Sequence, residues 1–209
     1  MLQTDMTDIS QLKNMNPVLE KLDKLTYGLI YPAFLGNMIY DIIQGIAENG
    51  RLKGTELFIA IMIFVLNGLD YMHLYVDMRK IVDDKFDKIK GPVYIFCDIA
   101  SSCFFFAAFL LLKYQHTFWT MILLGIIPAL TAIYKQTYSA GEDDKRFATR
   151  YGIAFGLLTV IGACIFSCDC MIDQFLICFI SLEVIVYFVY IFLLFPMYKS
   201  TNAVTSQEE

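Results

Sequence analysis

The sequence predicts an all-α polytopic integral membrane protein with about six transmembrane helices, and three observations predict it. Of its 209 residues 57% are hydrophobic and 18% charged, against roughly 45–50% and about 25% in soluble domains. Mean hydropathy is +0.56. Second, Lys and Arg are absent from residues 27–50, 54–78, 91–112, 114–134 and 151–198. The last stretch has 48 residues, room for two crossings at about 20 residues each. Third, the basic residues alternate in density from one loop to the next, as a polytopic chain requires. This arithmetic excludes a disordered chain, a nucleic-acid-binding module and a secreted disulfide scaffold. The net charge of −5 argues against a polybasic surface.

Residues 1–26 form a polar cytoplasmic segment. They carry Asp5, Asp8, Glu20 and Asp23 and do not read as a cleavable signal peptide, so the first span must direct insertion itself. Asn16-Pro17 reads as an N-cap followed by a first-turn proline. Val18, Leu19, Leu22 and Leu25 then share one face, opposite Glu20, Lys21, Asp23 and Lys24. That pattern suits a short helix lying in the cytoplasmic interface; a polar leader to the first span explains it equally well. Residues 27–198 form the transmembrane domain, with spans near 27–48, 55–77, 92–112, 117–134, 151–168 and 172–197. Residues 199–209 read as a disordered cytoplasmic tail.

With six spans, thirteen of the 16 basic residues fall on the side of the termini. They come from the N-terminal segment, the 2–3 loop (Arg79, Lys80, Lys85, Lys88, Lys90), the 4–5 loop (Lys135, Lys145, Arg146, Arg150) and Lys199. Arg51, Lys53 and Lys113 fall on the other. The asymmetry predicts that both termini are cytoplasmic, in a plasma-type membrane. Tyr27, Tyr31, Tyr75, Tyr94, Tyr134, Tyr138, Tyr151 and Tyr198 lie near the inner helix ends, with Tyr114 and Trp119 near the outer. This reads as a pair of interfacial aromatic belts. The first and fourth spans share a Pro-Ala pair (Pro32-Ala33 and Pro128-Ala129), a slender hint of an inverted repeat.

The residues that point to chemistry are ionisable groups within the spans, each costing roughly 2.5–3.5 kcal/mol at a helix centre. They are Asp41, Asp70, His73, Asp98 and Glu183, with Asp77 at the inner boundary. No Lys or Arg is expected at comparable depth. On the first span Asn37, Tyr40, Asp41 and Gln44 share a face; on the second, Asn67, Asp70, His73 and Asp77. Asp98 aligns with Ser101 and Ser102, and Glu183 with Tyr187 and Tyr190. Such stripes should face the bundle interior or a wet cavity. Asp70 and Asp98 fall at similar depth and should meet at a common cavity.

Taken singly, each residue fits interhelical hydrogen bonding. Taken together, the set points to a cation or proton path through Asp41, Asp70, His73, Asp77, Asp98 and Glu183, supported by Asn37, Gln44, Asn67 and Tyr187. His73 lies between two aspartates and could relay protons, but the other histidine, His116, belongs to the opposite face. Neither a metal site nor a bis-histidine haem is expected, and no cofactor. Cys168-Asp169-Cys170 lacks a second cysteine pair for a soft metal; a disulfide at that end would need Cys164 or Cys178. The charged runs Asp83–Lys88 and Gly141–Asp144 read as a solvated loop and a turn.

The motifs H-E-x-x-H and G-x-S-x-G and a glycine-rich phosphate loop are absent from the sequence, so an enzyme is the weaker expectation. The reading is a small channel or transporter, forming homo-oligomers among membrane lipids. One rival is a signalling or effector subunit whose cytoplasmic loops bind a protein partner. Another is a lipid-modifying enzyme using Asp70, His73, Asp77 and Asp98 near the inner leaflet.

Overall fold

Among the described residues the fold is built of six α-helices. The computed structural model describes residues 21–22, 24–47, 50–52, 54–81, 90–137, 142–165 and 172–194. The helices are α1 (Tyr31–Ile46), α2 (Gly54–Ile81), α3 (Lys90–Lys113), α4 (Thr117–Thr137), α5 (Glu142–Ile165) and α6 (Ile172–Val189). A π-helical turn, Thr26–Ile30, leads into α1, and another, Tyr190–Leu194, follows α6. The loop 83–88, Cys168–Cys170, the tail and most of the expected interfacial helix lie outside the described residues.

Five of the six helices are long and apolar enough to cross a membrane: Gly54–Met72, Ile95–Lys113, Thr117–Gln136, Lys145–Ile165 and Ile172–Phe192. Their outward faces carry Val65, Phe96, Ile126, Leu157 and Phe188, all exposed. A soluble bundle would put polar residues there. The core is apolar too, with Ile59, Ile63, Phe105, Phe109, Leu124 and Leu176 buried in one cluster. Helices apolar on both sides make an integral membrane bundle.

The first helix differs from the expected span. Its 16 α-helical residues measure about 24 Å at 1.5 Å per residue, short of the roughly 30 Å hydrocarbon core. The π-helical turn before it extends the continuous helix. Pairing with α3 shows how far it reaches: Tyr27 meets Asp98, and Asp41 meets Lys113. The two segments therefore run side by side and parallel. Pro32 lies in the first turn of α1, directly after the π-helical turn, a local widening of the kind that relieves the break a proline makes inside a continuous helix.

The adjacent α4 and α5 form the closest seam. A β-carbon at Gly125 would clash with the Thr159 side chain, and one at Gly152 would lie 2.9 Å from the Pro128 carbonyl oxygen. Only glycine permits this approach, the usual device where lipid gives no hydrophobic drive between helices. Gln136 Nε2 donates to Thr149 Oγ1 at 2.9 Å where the pair ends. Pro128 sits inside the α-helical run of α4, whereas Pro32 directly follows a π-helical turn, so the two Pro-Ala pairs have different local settings. The charged stretch from Glu142 belongs to α5 rather than to a turn; acidic residues are favoured at a helix N-terminus, and Glu142 and Lys145 also pair at i, i+3. At the other limit, α6 leaves α-helical geometry at Val189, short of the expected 197.

Candidate functional site

Among the described residues, three carboxylates lie inside the bundle. Asp70 on α2, Asp98 on α3 and Glu183 on α6 are 5%, 3% and 0% exposed. Each accepts a hydrogen bond from a tyrosine on another helical segment. Tyr187 donates to Asp70 Oδ1 at 2.7 Å and Tyr31 to Asp70 Oδ2 at 3.1 Å. Tyr27 donates to Asp98 Oδ2. Tyr151 donates to Glu183 Oε1 at 3.2 Å, while Glu183 Oε2 is buried with no hydrogen-bond partner.

Helical spacing delivers these donors. Tyr27 and Tyr31 are four apart, so they share a face, and their rings stack at 5.7 Å. Tyr71 leans against both rings and donates to the Tyr27 carbonyl at 3.3 Å. Glu183, Tyr187 and Tyr190 recur on one face of α6 and its following turn, all buried. Across from them, Tyr151 stacks on Phe147 and on Tyr187.

Tyr27, Tyr31, Tyr134 and Tyr151 are therefore not belt residues: all four are buried within the bundle. Their positions near helix ends suggested headgroup depth, but their hydroxyls or rings serve the interior. Lys135 is likewise no loop residue. It is 1% exposed, near the end of α4, with its ammonium 5.4 Å from the Tyr134 ring centre and 5.9 Å from that of Tyr190. Its charge reaches Asp70. The expectation that the acids have no basic neighbour is thus corrected. The apolar stem packs inside while aromatic faces receive the charge.

Asp41 is corrected in the same way. Lys113 Nζ donates to both of its oxygens, at 2.8 and 2.7 Å. The polar stripe of α1 does not face the interior. Asn37 is exposed and donates to the Ala33 carbonyl of its own helix, Tyr40 is exposed, and Gln44 is half-buried. The buried face of α1 is instead Tyr31, Met38, Ile42 and Gly45. Asn67 does face inward, donating weakly to Met38 Sδ at 3.7 Å, with its Oδ1 unpartnered. His73 and Asp77 lie on the α2 backbone, but their side chains are outside the described residues.

Asp70 and Asp98 line the same cleft, together with Ser101, Thr131, Tyr134 and Tyr187. Its volume is about 10 Å³, space for roughly one water molecule. Cys97 also borders it. Among the described residues, no three His, Cys, Asp or Glu side chains converge on a metal-sized site. Cys164 and Cys178 are free thiols. The arrangement can exchange protons or hold one small cation among carboxylate and hydroxyl oxygens. No family model matches the chain, and no curated protein or solved structure matches it either.

Proposed function

We propose that this protein is a small membrane transporter for a monovalent cation or proton, with Asp70, Asp98 and Glu183 as the groups that bind it in passage. The observation that carries the reading is the burial of three carboxylates among the described residues, with a buried lysine, Lys135, whose charge reaches Asp70. Insertion costs each acid roughly 2.5–3.5 kcal/mol, whereas an interhelical hydrogen bond in a membrane returns only about 0.6–2 kcal/mol. Packing alone does not offset three of them. The narrow cleft and the tyrosine hydroxyls over the acids suit an occluded transporter better than an open channel. Passage would require Tyr27 and Tyr31 to move with α1. In this reading both termini are cytoplasmic, the membrane is the plasma membrane, and copies associate laterally as a homo-oligomer.

A second reading has one observation in its favour: every one of the three acids has a tyrosine donor. A signalling or effector subunit could use such bonds only to fix helix register, leaving its loops to a protein partner. Flux separates the two. Purified protein in liposomes should pass protons or monovalent cations down an imposed gradient, and Glu183→Gln and Asp70→Asn should reduce that flux tenfold or more while the protein stays folded. If wild type passes nothing under any gradient or potential, the acids are packing residues and the second reading replaces the first.

A further inference from the structure

The cleft between α2, α3 and α4 has a composition that transport in general does not require. Its polar walls are the Asp70 and Asp98 carboxylates, Ser101 and Thr131, with the Tyr134 and Tyr187 rings beside them. These four residues offer oxygen ligands, which suit hard cations. Tyr31 and Tyr187 donate to Asp70 and Tyr27 donates to Asp98; a carboxylate offers about four lone-pair sites, so it can accept from hydroxyls and face a cation together.

Ser101 supplies the independent observation. It is 6% exposed, lines the cleft, and carries no hydrogen bond to any described residue. A serine on a membrane helix ordinarily bonds back to its own helix. Thr131 does so, donating to the Ile127 carbonyl at 3.1 Å and leaving its lone pairs for the cleft. Ser101 turns an unspent hydroxyl toward the space between two acids.

We infer that the cleft formed by Asp70, Asp98, Ser101 and Thr131 is a binding site for one dehydrated monovalent cation of sodium size. Volume and charge select the class. A space of about 10 Å³ holds one water-sized particle, too little for a magnesium ion, which retains several waters. The positive charge of Lys135 reaches Asp70, and it opposes a divalent ion at this site more strongly than a monovalent one. Carboxylates have a higher field strength than the carbonyls that select potassium, and strong-field oxygens favour the smaller ion. The inference rests on the transport reading for the role of the ion, but binding itself is measured separately.

The test is cation-dependent stability of the purified full-length chain in detergent, at constant ionic strength. Sodium chloride replacing choline chloride should raise the melting temperature saturably, and potassium should need at least tenfold higher concentration for the same rise. Ser101→Ala should melt like wild type in choline and require about tenfold more sodium. Asp98→Asn should abolish the sodium response. Equilibrium binding of radioactive sodium to wild type should show one displaceable ion per chain. Equal responses to sodium, potassium and choline would overturn the inference, as would a Ser101→Ala protein that binds sodium like wild type. Proton flux in liposomes without sodium binding would sink the sodium site and leave transport standing. Sodium binding without any flux would do the reverse.

Discussion

Asp70 shows what a buried acid needs from its neighbours. Its two oxygens are held by hydroxyls that arrive from different helices, Tyr187 at 2.7 Å and Tyr31 at 3.1 Å. Removing a donor from a buried carboxylate leaves desolvated lone pairs, a loss of about 1–3 kcal/mol. Tyr187→Phe keeps the ring and removes only the hydroxyl, so it should lower unfolding stability in detergent by about that amount. Tyr31→Phe, losing the longer bond, should cost less. Tyr114→Phe on the exposed 3–4 turn is the control and should stay within about 0.5 kcal/mol. Melting of Tyr187→Phe indistinguishable from the control would show that the bond stabilises nothing. None of these pairings was legible in the sequence: Tyr187 and Asp70 are 117 residues apart, Tyr27 and Asp98 71. The acids themselves were legible, because a charge in an apolar run stands out. Of their donors, Tyr187 was legible as part of the Glu183 stripe; Tyr27, Tyr31 and Tyr151 were not, because a tyrosine near a helix end reads as an interface residue whichever way its ring turns.

Helices were the most legible level, since long runs free of Lys and Arg mark them directly. The misreadings have local causes. The start of α5 is charged, so hydropathy placed it at residue 151, yet its backbone is helical from Glu142. The inward face of α1 was misjudged because polarity is a poor guide where a stripe ends in an ion pair such as Asp41–Lys113. Glycine contacts were also hidden, since spacing alone does not say which glycine meets a backbone. Gly152 does: an added β-carbon would lie 2.9 Å from the Pro128 carbonyl oxygen and 3.0 Å from the Ala132 β-carbon. Backbone cannot step aside as a flexible side chain can. Gly152→Val should therefore part α4 from α5 and lower stability by about 1–3 kcal/mol. Gly156, one turn on, has nothing within 4 Å of the same added atom, and Gly156→Ala should be neutral or slightly stabilising. Equal melting of the two variants would mean that the seam is looser than this contact implies.

For the whole molecule the open matter is whether α1 crosses with the other five. Moving Lys135 from the loops to the bundle interior leaves twelve basic residues on the side of the termini and three on the other. If α1 did not cross, Lys13, Lys21 and Lys24 would join Arg51, Lys53 and Lys113, and the division would fall to nine against six. The orientation signal depends on such bias in short loops, and we propose six crossings on that charge division. Contacts agree. Tyr27 reaches Asp98, well inside α3, while Asp41 reaches Lys113 at its end, so the π-helical turn and α1 together run about 20 Å beside α3. Single cysteines introduced at Lys13, Arg51, Lys85 and Lys145, in a chain freed of its native cysteines, test the arrangement in intact cells. An impermeant maleimide should modify only the Arg51 replacement, with the other three reacting after permeabilisation. Lys13 and Arg51 replacements labelled together from outside would show that α1 stays on one side, and the chain would then have five crossings with its termini on opposite faces.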